Sequence, residues 1–388
     1  MEVLFWISAG LILYTFLVYP LILVFLSSLS QVLSDSRYAL GRRDRREQSG
    51  EFPSVSIIFA AYNEETVIEE KMRNLAALDY PIDRMEFLIG CDGCSDRTVE
   101  LAQAALLPNC RIFDYASRSG KPMVLNRLVP DTRGSIVVFS DANTLFNTNT
   151  VSALVRAFAD PGVGCVCGEL KLITPEGTHQ SEGIYWKYEV FLKFFESRLR
   201  MLVGANGGVF AMRKKLFTPL PPKGIVDDFL ISMAVHSQGF RVIYNPEAIA
   251  YEHAGTSVQH EFYRRVRIGS GNFHALRYTW RLLLPTAGPI AFSYWSHKVF
   301  RWLVPFALPI AFLSALALSR HWFYAGCAIA GALMVCLAVV GFRMERRRVH
   351  FSLFSIPYYF LSMNLALLLG FVRFVNGSQG AVWRRTAR

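Results

Sequence analysis

Apolar stretches long enough to cross a bilayer stand at both ends of this chain and are missing from its middle, which confines any water-soluble fold to the residues between them. Val3 to Leu26 is apolar over roughly the 20 residues that a crossing helix needs. Val299 to Leu318, Trp322 to Phe342 and Phe351 to Phe374 repeat the pattern. A cleaved secretory signal fits the first stretch badly, since its apolar run is too long, no basic segment precedes it and no small-residue cleavage site follows. It is expected to be a transmembrane helix. The 52% hydrophobic content and the 30 Phe follow from adding such spans to an ordinary domain.

The net charge of +11 would suit a nucleic-acid binder, but much of the basic excess sits beside the apolar stretches. Arg37, Arg42, Arg43, Arg45 and Arg46 follow the first, and Arg343, Arg346, Arg347 and Arg348 follow a later one. Lys and Arg stay on the cytoplasmic side during insertion and are drawn to anionic lipid there, which accounts for both clusters and excludes nucleic acid as a partner. The expected location is therefore a multi-pass protein of the cytoplasmic (inner) membrane with a cytosolic middle, Ser319 to His321 turning outside and Arg343 to His350 inside. Arg384, Arg385 and Arg388 break the rule if the last stretch crosses fully, unless Pro357 divides it into an interfacial piece and a shorter span. Seven Cys without an extracellular spacing agree with a reducing compartment. Cys91 and Cys94 bracket a turn but lack the two further ligands of a zinc site.

Five segments are expected: a membrane helix over 1–26, a basic polar linker over 27–53, an α/β domain over 54–257, interfacial amphipathic helices over 258–298 and two or three membrane helices over 299–388. Within the domain, Val55 to Ala61, Phe87 to Cys91, Arg111 to Tyr115 and Ile136 to Ser140 are continuous apolar runs, as buried parallel strands are. Helical patterns from Glu64 to Leu78, Ser95 to Ala105 and Lys121 to Leu128 alternate with them, the mark of a doubly wound, Rossmann-like and mostly parallel sheet. Gly164 to Leu172, Gly207 to Met212 and Val242 to Ala250 extend it.

Several apolar runs end in acidic turns. Ligands of open parallel sheets bind beyond the carboxyl ends of the strands, so these acids should line one crevice. Asp141-Ala142-Asn143 offers two oxygen ligands to a hard cation, which shares its other positions with water and substrate phosphate. Local backbone bonding in an Asx-rich turn is the plainer account of the same residues. Asp92 ends its strand as acids that bind ribose or base do, whereas Ser95 and Asp96 are explained by capping. Lys121 can meet phosphate or simply begin a surface helix, and Asp227 and Asp228 open a helix where the macrodipole favours acids. His253 reads as a polar boundary residue. No G-x-G-x-x-G or Walker loop occurs, which excludes dinucleotide redox chemistry and P-loop hydrolysis.

From Ser54 to about Asn272 the chain resembles the family 2 inverting glycosyltransferases with the GT-A fold, in particular the membrane-embedded bacterial branch that includes cellulose, chitin-oligosaccharide and hyaluronan synthases. The resemblance rests on the Tyr62-Asn63-Glu64 turn, Asp92-Gly93, Gly120-Lys121, Asp141-Ala142-Asn143, Gly204-Ala205-Asn206-Gly207-Gly208 and Val226-Asp227-Asp228, in that order. It implies a nucleotide-sugar donor, UDP-linked, held by Tyr62, Glu64, Asp92, Lys121, Asp141, Arg264 and Arg267. It further implies Mg²⁺ or Mn²⁺ on Asp141 and Asn143, a donor and acceptor pocket at Asn206, Gly207, Gly208 and Asp227, and Asp228 as the general base. Of the two neighbouring acids, Asp227 is the one expected merely to start its helix.

Two departures stand out. Asn143 replaces a second acid, and Arg264-Arg265-Val266-Arg267-Ile268 stands where the family has Gln-x-x-Arg-Trp, so Ile268 removes an aromatic platform for an acceptor sugar. The expected activity is therefore transfer of one sugar to a lipid or glycan acceptor among membrane lipids. A processive, secreting polysaccharide synthase is the alternative, and since the spans hold almost no polar residue but Asn364, it would need a homo-oligomer to build a polar path. A catalytically inactive sugar-binding or scaffolding relative and a membrane nucleotidyltransferase are the rivals of another class.

Overall fold

The computed structural model describes residues 1–39, 52–173, 180–253, 258–347, 349 and 351–377. Among the described residues eight strands are formed: β1 Val55–Ala61, β2 Met85–Asp92, β3 Cys110–Tyr115, β4 Ile136–Ser140, β5 Thr144–Phe146, β6 Val163–Ile173, β7 Val209–Arg213 and β8 Arg241–His253. They make one sheet in the order β3-β2-β1-β4-β7-β6-β8-β5. The first four strands are parallel, as their continuous apolar runs predict. Residues alternate between two cores along β1: Ile58 and Ala60 join one face, while Val55, Ile57, Phe59 and Ala61 join the other.

The expectation of a mostly parallel sheet holds, since β1–β2, β2–β3, β1–β4 and β6–β8 pair in parallel, while the antiparallel pairings β4–β7, β5–β8 and β6–β7 make the sheet mixed. Only the early strands are joined by crossover helices, and the chain later doubles back beside β4. That reversal matters for the site. The register Ser140 to Val209 sets the carboxyl end of β4 against the start of β7, so the Asp141 turn and the glycine-rich segment before β7 become neighbours.

Among the described residues, four helices are long and apolar enough to cross a bilayer: Glu2–Ser36, Pro289–Ala317, Trp322–Arg346 and Ser352–Val375. Their outward faces carry exposed Leu21, Phe25, Leu313 and Ile329, a surface that lipid rather than water would cover. Helix limits differ from the sequence reading. The first helix continues to Ala39 instead of giving way to a linker at residue 27, and the second begins at Pro289 instead of Val299. Gly288, with φ at 65°, turns the chain, Pro289 is pre-set for a helix start, and a π-helical turn over Tyr294–Val299 carries the helix onward. Pro357 lies near the start of the last helix, where few backbone bonds are forfeited, and the helix is continuous through it. Arg42, Arg43, Arg45, Arg46, Arg348, His350, Arg384, Arg385 and Arg388 lie outside the described residues.

The sheet and the apolar helices share packing. One face of the sheet buries Leu202, Val203 and Phe229 in the same core as Tyr294, Val299 and Trp302 of the helix that begins at Pro289. A buried polar knot ties three elements at the same level. Glu196, at the end of the helix Gln180–Arg198, accepts from the Tyr19 hydroxyl at 2.7 Å and meets His297 Nδ1 at 2.7 Å.

Candidate active site

The acids at the strand ends meet around a lysine. Lys121 Nζ lies 2.7 Å from Asp141 Oδ1 and 3.0 Å from Asp227 Oδ2, bridging the end of β4 and the start of the helix Asp227–Ser237. Burial works against the Lys121 ammonium, but the Asp141 and Asp227 carboxylates outweigh it and hold its pKa above the ordinary lysine range. Asp227 is pushed up to about 6 by burial, against the pull of Lys121 and with the repulsion of Asp228 and Asp141 added. Gathered here are two carboxylates and one ammonium, a set suited to charged phosphate and a cation.

Asp92 does not face this cluster. It is fully buried, and its Oδ1 accepts from the Ser119 backbone N–H at 2.7 Å and the Ser119 hydroxyl at 3.0 Å, its Oδ2 from the Gly120 N–H at 2.8 Å. Gly120 holds φ at 93°, a conformation that disfavours any Cβ, and it caps the helix that Lys121 begins. Asp92 is thus a positioning residue for Lys121, where the sequence reading expected it to hold the nucleotide directly. Asn143 donates its amide to Glu252 Oε1 at 2.8 Å, so the two residues expected to share a metal take different partners. Among the described residues, no three His, Cys, Asp or Glu side chains gather into a ready metal site.

Around the cluster lie further expected residues. Arg264 and Arg267, on the helix Val258–Thr279, both feel the charge of Asp141, and Arg267 that of Asp227 as well. Burial and the like charge of Arg264 push Arg267 down. Tyr62 is covered by the Arg118 guanidinium, 3.5 Å from the ring centroid, so a flat stacked surface already exists beside the β1 turn. Glu64 is buried, and its backbone N–H donates to Thr98 Oγ1 at 2.7 Å.

Asp228 looks the other way. Its Oδ1 accepts from the Phe229 N–H at 2.8 Å, so Asp228 and not Asp227 is the acid bonded to its own helix start. A Cβ on Gly207 would sit 3.4 Å from Asp228 Oδ2, and one on Gly208 would strike Thr144 Oγ1 at 2.6 Å. The second position needs glycine for space alone. Asn206, buried, donates to the Gly168 carbonyl at 2.7 Å and receives Lys193 on its Oδ1, which makes it a brace for the glycine segment. Beyond Asp228 opens a cavity of about 450 Å³ whose walls include Phe16, Ile268, Trp302, Phe360 and Leu367. Asp228 therefore stands between the acidic cluster and a chamber walled by apolar helices.

Lys71 was missed by the sequence reading. Fully buried on the helix Ile68–Ala76, it donates to Ser140 Oγ at 2.8 Å and the Thr144 carbonyl at 2.5 Å, and so grips the Asp141-Ala142-Asn143 turn from behind. Burial lowers it to about 7, against the attraction of Asp141. A lysine between Glu70 and Met72 reads as part of a solvated face, and nothing local marks it otherwise. Lys193, Lys298 and Arg301, which line the chamber, were missed for the same reason.

Comparison with known proteins adds to this geometry. Residues 56–218 match the model for Glycosyl transferase family 2. The probable glycosyltransferase YdaM of Bacillus subtilis (strain 168) is 24% identical over 254 residues, covering 58% of this chain and 57% of that protein. A poly-beta-1,6-N-acetyl-D-glucosamine synthase of Staphylococcus aureus (strain COL) is 27% identical over 255 residues, covering 62% and 59%. The chain thus spans less than two thirds of the length of these curated relatives. Among solved structures, the mannosyltransferase PcManGT from Pyrobaculum calidifontis, in complex with GDP-Man and Mn²⁺, superposes with a TM-score of 0.69 at 20% identity, over 93% of this chain and 99% of that one. At that identity the likeness is one of fold.

Proposed function

We propose that this chain, which carries a glycosyl transferase family 2 domain over residues 56–218, is a membrane-embedded inverting glycosyltransferase. It moves a sugar from a nucleoside diphosphate donor, taken as UDP-linked, to a lipid or glycan acceptor at the cytoplasmic face of the membrane. The observation that carries this reading is the placement of two adjacent acids. Asp227 is tied through Lys121 to Asp141, while Asp228 stands at the mouth of a chamber walled by apolar helices. Donor and acceptor can then approach one helix start from opposite sides.

Asp141, part-exposed at 34%, and the nearby phosphate-seeking cations fit a magnesium or manganese ion that is held by one carboxylate, waters and the donor's own phosphates. Bound there, the ion would stabilise the negative charge of the departing diphosphate. Lys121 and the arginines 264 and 267 hold that diphosphate. Asp228 Oδ2 takes the proton of an acceptor hydroxyl as its oxygen bonds to the anomeric carbon, and the bond from that carbon to the diphosphate breaks on the opposite face, its electron pair leaving with the nucleotide. Arg118 on Tyr62 offers the base a stacking surface. Ile268 in the chamber wall, where an aromatic platform would serve a sliding chain, favours single transfer over processive synthesis.

The test is release of nucleoside diphosphate from a panel of nucleotide sugars by the full chain in detergent, with and without Mn²⁺. Release from one donor, stimulated by the metal, is the expected result. Pyrophosphate released from a nucleoside triphosphate and a sugar phosphate would replace this reading with nucleotidyl transfer, and no release from any donor, with sugar nucleotide still bound, would leave a binding relative.

A further inference from the structure

The chamber beyond Asp228 has more cations than carboxylates on its walls. Lys193, Lys298, Arg265 and Arg301 line it with Glu189 and Asp228, and Arg265 is paired with Glu261 at 2.5 Å behind the wall. Glu189 is already engaged, by Arg301 Nη1 and, at 3.2 Å, by His297 Nε2. Lys193 is buried and held by Asn206. The Arg301 guanidinium still has two buried nitrogens, Nε and Nη2, without a hydrogen-bond partner among the described residues. Buried donors left unmet on a charged group are costly, and an anion in the chamber would relieve that cost.

Much of the remaining lining is apolar, with Asn272, Asn364 and three tyrosine hydroxyls among it. Phe16 comes from the first apolar helix, Trp302 from the second, and Ile356, Phe360, Met363 and Leu367 from the last. An occupant must therefore present an anionic group to the lysines and arginines and an apolar tail to the helices. A free glycan could use the aromatic rings and the amides of Asn272 and Asn364, but it carries no anion for the lysines and for the unmet Arg301 nitrogens and no tail for the apolar helices.

We propose that the chamber is a binding site for an amphiphile whose hydroxyl-bearing headgroup is joined through phosphate to a hydrocarbon tail, and that this amphiphile is the acceptor. The phosphate sits among Lys193, Lys298 and Arg301, the tail lies between the first and last apolar helices, and the hydroxyl reaches Asp228. Arginine and lysine both seek phosphate, arginine in a two-point grip. As a choice of acceptor this rests on the transfer reading above, but the binding site itself can be tested without it.

The full chain in non-ionic detergent is titrated calorimetrically with dihexanoyl phosphatidylglycerol, dihexanoyl glycerol, glycerol phosphate and inorganic phosphate. The phosphatidylglycerol should bind about tenfold or more tighter than each of the others, the ratio expected for one charge-assisted hydrogen bond. Lys298→Gln should remove most of that preference, Lys298→Arg should restore it, and UDP affinity should stay unchanged in both. Equal affinity for the neutral diglyceride, or a preference that survives Lys298→Gln, would overturn the proposal. Inorganic phosphate binding as tightly as the lipid would also overturn it, by making this a soluble-anion site. Lipid selectivity without any release of nucleoside diphosphate would uphold the site and sink the transfer reading; release without selectivity would do the reverse.

Discussion

At the scale of single residues, Asp228 and Lys71 bear the most direct consequences. Asp228→Asn keeps the side chain's shape and its bond to the Phe229 N–H in reach while removing the proton acceptor. Turnover should fall by about 10²- to 10⁴-fold, the usual contribution of a general base, with nucleotide affinity unchanged by calorimetry. Undiminished turnover would remove Asp228 as base. Lys71 makes a prediction about pH. Its pKa falls from 10.5 in the free side chain to about 7 in the fold, so between those values the unfolded chain binds a proton that the folded chain does not. Stability should therefore rise with pH through that window and level off below it. Thermal melting from pH 7 to 10 should show the rise, and Lys71→Met should flatten it. Asp141, Lys121 and the Asp227-Asp228 pair were legible beforehand, since each closes a strand or opens a helix in the local pattern. Lys71, Lys193 and Arg301 were not, because a cation buried by distant elements has the same local signature as one in water.

At the scale of elements, the loop from Ser117 to Gly120 owes its shape to one carboxylate. Asp92→Asn would leave an amide facing three donors that now share two acceptor oxygens. A loss of about 1–3 kcal/mol in stability is expected for buried groups left unmet, seen as a lower melting temperature, together with a raised KM for the donor because Lys121 is no longer held in place. A normal KM at the lowered melting temperature would show that the loop does not set the lysine. The strands themselves were readable from apolar runs, and so was the acid at the end of β2, but not its direction. Which way a side chain points at a strand end depends on the loop that folds over it, and that loop lies 27 and 28 residues away in sequence. The antiparallel pairings of the sheet were obscure for a similar reason: β7 is short, and its partner is set by a register between distant segments.

At the scale of the whole molecule, the sheet domain and the apolar helices cannot be separated cleanly. Tyr19 of the first helix, Glu196 beside the glycine segment and His297 of the second helix form one buried knot, and Tyr19 and Leu23 pack on Leu192 and Met201. A chain lacking residues 1–36 should therefore melt at a lower temperature in detergent and lose transfer, although every residue matched to the family domain is kept. Full activity from such a chain would show that the knot is dispensable. Packing fixes more than stability here. Phe229, next to Asp228, stacks edge-on against Tyr294 at 5.7 Å and lies 6.4 Å from Trp302, so the residue after Asp228 packs directly on the apolar helix. Under the proposed transfer, the fold would work as a gauge of height: a hydroxyl that stands off the hydrocarbon by too little or too much would not come level with Asp228, whatever its chemistry.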